Sequence, residues 1–167
     1  PVKQMIEKLD DGKMKDNLSI VHRNANRLLG LVNQLLDISK IESGNMKLQT
    51  SPINIIPYLK ALVLSFTSYA ERKRILLKFI SDLNELTVYI DKDKFEKIIN
   101  NVLSNAFKFT PNGGSIKVNI YNDTKNLNII ISDTGVGIPK EKLQKIFDRF
   151  YQVDGLVKMN KIKELRG

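Results

Sequence analysis

The chain has no cysteine, no tryptophan and one histidine among its 167 residues. Without cysteine there is no disulfide framework and no thiolate metal site, which suits a reducing, cytoplasmic setting. No apolar run approaches the roughly 20 residues that a membrane-crossing helix needs, and no signal-peptide pattern opens the chain. Internal repeats and low-complexity segments are also missing. Acidic residues are in the minority, 18 against 27 basic ones, for a net charge of +9. A surplus of that size can mark nucleic-acid binding. Here the lysines are scattered and lack interleaved aromatics, so no nucleic acid is expected, and a basic nucleotide pocket or a solvated surface accounts for the charge. Apolar residues make up 42%, enough for a packed core in one or two domains. The chain starts at Pro1 rather than a methionine, and is read as a fragment.

The organising stretch is Asp91 to Pro111, DKDKFEKIINNVLSNAFKFTP. Asp91 stands where an N-cap belongs, between the β-like run TVYI and a helical pattern. Phe95, Ile98, Ile99, Val102, Leu103 and Ala106 recur at spacings of three and four and predict one apolar face. A second stripe holds Lys97, Asn101, Asn105 and Lys108. Asparagine is a mediocre helix former, so three of them in one helix need a reason. A solvated face is one. The other is a polar site, in which amide oxygens ligate a hard cation such as Mg²⁺ and a lysine meets phosphate. Downstream, NLNIIISDTGVGIP reads as a buried strand, Leu127 to Ser132, that ends on Asp133 and a glycine turn. Asp133 can accept a hydrogen bond from an exocyclic amine, and Gly135 and Gly137 let backbone approach a ligand.

These motifs carry a family resemblance. Asn101-Val-Leu-Ser-Asn105-Ala-Phe-Lys108-Phe-Thr-Pro resembles the N box of bacterial sensor histidine kinases, Asp133-Thr-Gly135-Val-Gly137-Ile their first glycine box, and Phe147-Asp-Arg-Phe150 their F box. Order and spacing agree, and the resemblance covers nearly the whole chain. The segments RNANRLL and LLDISKIESG are most similar to large hybrid sensor kinases.

The rest of the chain fits around this core. Residues 1–9 read as the tail of a helix and Asp10-Asp11-Gly12 as a turn. A helix is predicted from about Lys13 to Ser43, closed by Gly44. In it Leu18, Val21, Ala25, Leu28, Val32, Leu35 and Ser39 form a heptad seam, widened by Ile20, Leu29 and Leu36 towards a four-helix bundle. A hairpin with one short arm cannot close such a bundle alone, so a homodimer is expected. Further predictions are a strand over 46–51 closed by Pro52, a helix over 53–73, strands over 75–80, 86–90 and 115–121, and a short helix after Pro139 holding Leu143, Ile146 and Phe147. Phe107, Phe147 and Phe150 are assigned to the core, and Asn100 to solvent. The expected fold class is α+β: a helical hairpin over 1–45, lacking most of its first helix, then an α/β sandwich over 46–167. The resemblance implies that this sandwich is the ATP-binding fold shared with gyrase, MutL and the large heat-shock chaperones.

It implies residue roles as well. Asn105 would ligate Mg²⁺, Asn101 line the same pocket near the phosphates, and Lys108 meet a phosphate oxygen. Phe109 would lie near the adenine. Asp133 would take the adenine amine and so favour ATP over GTP. Gly135 and Gly137 would pass close to base and sugar, and Phe150 with Tyr151 would anchor a lid. The parent would be a protein histidine kinase, an inner-membrane-anchored sensor with its core in the cytoplasm, passing phosphoryl from ATP to a histidine and on to an aspartate of a response-regulator receiver domain. The sequence departs from the family in two places. The phospho-acceptor motif is not found, and His22 lies beside the seam of what resembles the second hairpin helix, so it is read as a partly exposed structural residue. The second glycine box is not found either, which leaves the lid incomplete. Gln152 stands where the family often has a basic residue, with Arg149 as the candidate substitute. Two rival readings follow. A chaperone-type or mismatch-repair ATPase would carry a water-activating glutamate where Asn101 stands, and asparagine cannot take a proton. A dimerisation and interaction module with a defective nucleotide pocket is the second, and a nucleotide-binding assay separates it from the kinase core.

Overall fold

The structure, a computed structural model, describes residues 12–123, 125–148 and 151. The chain divides into two compact units between Leu48 and Gln49. Among the described residues the first contains one helix, α1, Gly12–Glu42. Its last turn closes on Gly44 in the left-handed region, φ +67°, with the Asn45 and Met46 amides donating to the Lys40 carbonyl at 3.0 and 3.1 Å. That is a C-terminal cap only a residue without Cβ makes at no steric cost. Gly12 already belongs to α1 rather than to a turn, and the helix expected over 1–9 lies outside the described residues. Leu28, Leu29, Val32, Leu35 and Leu36 are all exposed. No helix among the described residues is long and apolar enough to cross a membrane.

The second unit runs β1 (Thr50–Asn54), α2 (Ile55–Leu64), α3 (Thr67–Lys73), β2 (Leu76–Ser81), β3 (Thr87–Asp91), α4 (Lys92–Phe109), β4 (Ser115–Asn122) and β5 (Leu127–Asp133). β1 and β3 form an antiparallel pair, while β2, β4 and β5 form a mixed sheet with β4 in the centre, parallel to β2 and antiparallel to β5. The α+β reading holds, with the helices on one face of the mixed sheet. Ile116, Val118 and Ile120 of β4 are completely buried and cluster with Ile55, Leu59 and Val63 of α2, Ala70 of α3, and Ile99, Leu103, Ala106 and Phe107 of α4. Alternate residues of the same strands, Lys78, Lys117, Ile130 and Ser132, face outward and are exposed, as the period of two requires.

Three local expectations are corrected. The first strand starts later and runs through Pro52, which pairs with Tyr89. Proline lacks an amide donor but is tolerated here because β1 has a partner on one side only. The helix expected over 53–73 breaks at Ser65–Phe66. There Ser65 Oγ donates to the Leu62 carbonyl and Thr67 Oγ1 to the Leu64 carbonyl, each at 2.7 Å, a side-chain competition for helical carbonyls. The break seats the Phe66 ring flat against Phe107, centroids 5.4 Å apart, and Tyr69 meets the same ring edge-on at 5.3 Å. Finally, the helix after Pro139 is a single 3₁₀ turn, Lys140–Lys142. Phe147 is 90% exposed and is not core.

Phe107 is thus the hub of the unit, and Phe107→Ala is expected to lower its stability by about 3–5 kcal/mol in urea unfolding. Asp91 is the N-cap of α4 as expected: Oδ1 accepts from the Lys94 amide at 3.1 Å, while Oδ2 accepts from the Gln49 amide at 2.9 Å and ties down the strand entry. The bond from Gln49, then that from Lys94, hold its carboxyl below the usual carboxylate range. A lowered native pKa gives stability that is present above the unfolded value, about 3.9, and lost as pH falls through the native one. The stability gap between wild type and Asp91→Asn should therefore be full at neutral pH and close progressively on acidification, followed by urea midpoints across an acid pH series.

Candidate nucleotide-binding site

α4 presents two opposite surfaces. Ile99, Leu103, Ala106 and Phe107 are buried, while Asn101, Asn105 and Lys108 are exposed. Lys97 and Asn100 are half-buried. The predicted apolar face was drawn too wide, because Ile98 and Val102 are 60% and 43% exposed. They lie about 100° round the helix from the buried row and border the asparagine stripe, so an apolar strip runs beside the amides. Spacings of three and four alone could not separate the buried row from this flank. Neither the Asn101 nor the Asn105 side-chain amide is hydrogen-bonded to the described residues, and both residues are exposed. The Lys108 ammonium sits 4.9 Å from the centre of the Phe109 ring, and Phe109 is half-buried at the end of the helix.

The second half of the site follows β5. Asp133 is its last residue and is exposed; its Oδ1 accepts from the Gly135 amide at 2.8 Å, which folds the turn back over the carboxylate. Gly135 presses against the end of α4. A Cβ built on it would lie 2.8 Å from the Phe109 carbonyl oxygen and 2.5 Å from Asp133 Oδ1. Gly137 has φ +71° in open space, a conformation that a β-carbon disfavours. Next to them, Thr134 Oγ1 accepts from the Ser115 amide at 2.9 Å, pinning the turn to the start of β4. Phe150, assigned to the lid, lies outside the described residues, and Tyr151 is half-buried.

Thus the end of the asparagine helix and the glycine turn after Asp133, far apart in sequence, meet backbone to backbone. Among the described residues no group of three or more His, Asp or Glu side chains comes together. A divalent cation held here would take amide oxygens and the ligand's own oxygens, the hard donor set that Mg²⁺ favours. An exposed carboxylate at a strand end, a turn that no β-carbon fills, and a helix stripe of unbonded amides fit a purine nucleotide with its metal.

Comparison with known proteins gives the family. Residues 90–167 match the family described as histidine kinase-, DNA gyrase B-, and HSP90-like ATPase. This part of the chain belongs to that ATPase family. Within it the chain is a histidine kinase ATPase core, being 38% identical over 154 residues to histidine kinase P4 of Formosa agariphila, across 92% of this chain and 11% of that protein. Hybrid signal transduction histidine kinase D of Dictyostelium discoideum is 40% identical over 150 residues, across 87% of this chain and 10% of that protein. The chain thus spans about a tenth of the length of these relatives. The structure of histidine kinase ThkA in complex with response regulator protein TrrA shares the fold, with a TM-score of 0.68 at 23% identity, over 95% of this chain and 47% of that one.

Gly135→Ala should force the Phe109 carbonyl and the turn apart, at about 1–3 kcal/mol of stability. Nucleotide binding should fall by more than the stability loss predicts, which titration well below the unfolding temperature would check.

Proposed function

We propose that this chain is the kinase core of a two-component sensor histidine kinase. It holds Mg·ATP on the face formed by α4 and the Asp133–Gly137 turn, for transfer of the γ-phosphoryl to a histidine and then to an aspartate of a response-regulator receiver domain. The observation that carries the reading is the close approach of Gly135 to the Phe109 carbonyl, which brings the end of the asparagine helix against the turn that follows Asp133.

Each residue then has a role. Asp133 uses Oδ1 to fix the turn and offers its other oxygen to the adenine amine. Guanine presents a carbonyl at that point, and two acceptors repel. Gly135 and Gly137 keep the backbone low enough for base and sugar to lie against it. Asn105 ligates Mg²⁺ through its amide oxygen, with Asn101 one turn earlier on the same stripe near the phosphates. Lys108 exchanges its contact with the Phe109 ring for a phosphate oxygen, a stronger charge-assisted bond, and leaves that ring to the adenine side. When bound, Mg²⁺ neutralises charge on the phosphate oxygens during transfer. No side chain of the stripe can abstract a proton from water, which favours phosphoryl transfer over hydrolysis.

His22 is not the acceptor in this reading. It is half-buried on α1, with Asn26 Nδ2 3.2 Å from its Nδ1. The exposed leucines of α1 are covered by a second copy in a homodimer, whose partner in signalling is the receiver domain, as the ThkA–TrrA complex suggests. The core works in the cytoplasm, and any membrane contact is made by other parts of a longer sensor.

A fluorescent ATP analogue should bind saturably, depend on Mg²⁺ and be displaced by ADP. Asp133→Ala should weaken it by about tenfold or more, since it removes a hydrogen bond to a charged group, and Asn105→Ala should remove most of the Mg²⁺ dependence. Absence of binding by the folded wild-type chain would return the interaction-module reading.

A further inference from the structure

The end of α4 has an unusual closure. Thr110 is its C-cap and is extended, φ −82° and ψ 125°, because Pro111 disfavours the helical region for the residue before it. A left-handed glycine cap is therefore impossible there, and the last carbonyls of the helix need other donors. One comes from a distant element. Lys73, the last residue of α3, reaches over with its ammonium and donates to the Phe107 carbonyl at 3.0 Å and the Thr110 carbonyl at 3.3 Å. A positive charge at a helix C-terminus also opposes the negative end of the helix dipole. The backbone of the same residue is tied to the following turn, since its carbonyl accepts from the Gly113 amide at 3.1 Å.

This closure borders both halves of the nucleotide site. Phe109, between the two carbonyls that Lys73 bonds, is the residue whose backbone meets Gly135. Gly114, at the end of the turn that Lys73 tethers, packs against Thr110 and Thr134: a Cβ built on it would lie 2.5 Å from Thr110 Cγ2 and 2.9 Å from Thr134 Oγ1. The Leu76 amide donates to the Gly114 carbonyl at 2.9 Å, which closes the ring from α3 through the turn to β2. Thr110 itself is completely buried, and its own hydroxyl finds no partner among the described residues, so that side chain does not hold the closure. The end of α4 meets the glycine turn at this backbone junction, and Lys73 bonds the helix carbonyls just before and just after Phe109.

We propose that Lys73 is a positioning residue for the nucleotide site: by clamping the Phe107 and Thr110 carbonyls it fixes where the asparagine helix ends against the Asp133–Gly137 turn. Lys73 touches no nucleotide. It acts through the Phe109–Gly135 junction, on which the distance between Asn105 and Asp133 depends. Methionine keeps the length of the side chain without its donors; arginine restores donors and charge. The inference rests on the nucleotide reading given above.

The test compares wild type, Lys73→Met, Lys73→Arg and a core control, Ile56→Val, each with its unfolding midpoint measured. Two readouts are taken well below those midpoints: Mg²⁺-dependent affinity for the fluorescent ATP analogue, and amide hydrogen exchange without nucleotide. Lys73→Met should weaken affinity by about tenfold, the scale of a lost bond from a charged donor, and speed exchange at Thr110, Gly113 and Gly135 selectively. Lys73→Arg should restore both, and Ile56→Val should change neither despite its lower midpoint. Unchanged affinity in Lys73→Met, or a loss that Ile56→Val matches, would overturn the proposal. If wild type binds no nucleotide, the nucleotide reading fails by itself. Unchanged exchange at those three amides would then overturn the positioning role as well, and selective acceleration would support it.

Discussion

One helix has to satisfy two environments at once, and the second unit is arranged around that constraint. The inner row of α4, Ile99, Leu103, Ala106 and Phe107, packs into the cluster shared with β4 and α2. Burial of such side chains is worth roughly 1.5–3 kcal/mol each for the larger ones, so the rotation of α4 about its axis is not free. Once it is set, the asparagines a third to half a turn away must face outward. The chemistry of the outer stripe is therefore held by the packing of the inner one.

The aromatic triad makes that rotation specific. Phe107 is fully buried between Phe66 and Tyr69, the first supplied by the break between α2 and α3 and the second by α3 itself. A continuous helix there would not deliver the Phe66 ring in the same place. The same α3 ends on Arg74 in the left-handed region, φ 53°, and on Lys73, whose ammonium reaches the end of α4. So a helix of seven residues contributes one ring contact and one electrostatic clamp to the element that bears the site, although none of its residues is exposed in the site itself.

Much of this was legible in the chain. Asp91 as N-cap, Gly44 as the close of α1, the alternation of β4 and the outward stripe of α4 follow from local rules that act within a few residues. The pairing of the asparagine motif with DTGVG carries the family resemblance by itself. What misled were patterns with more than one physical solution. A run of apolar residues at spacings of three and four fits several rotations, so Ile98 and Val102 share the predicted apolar face yet lie outside the core. Ser65 and Thr67 look like ordinary helical residues until their hydroxyls bond back to carbonyls. Phe147 is aromatic, yet no described neighbour covers it.

The sequence by itself determined the periodicities, the capping residues and the groups proposed to meet a nucleotide, because these depend on side-chain chemistry and on torsions over one or two turns. The tertiary structure alone decided which apolar residues are buried, where the α2–α3 break falls, and which donor closes the end of α4. Those outcomes depend on contacts between residues 30 or more positions apart, such as Phe66 and Lys73 with Phe107, whose formation rests on the joint packing of helices and sheet and not on local preference alone.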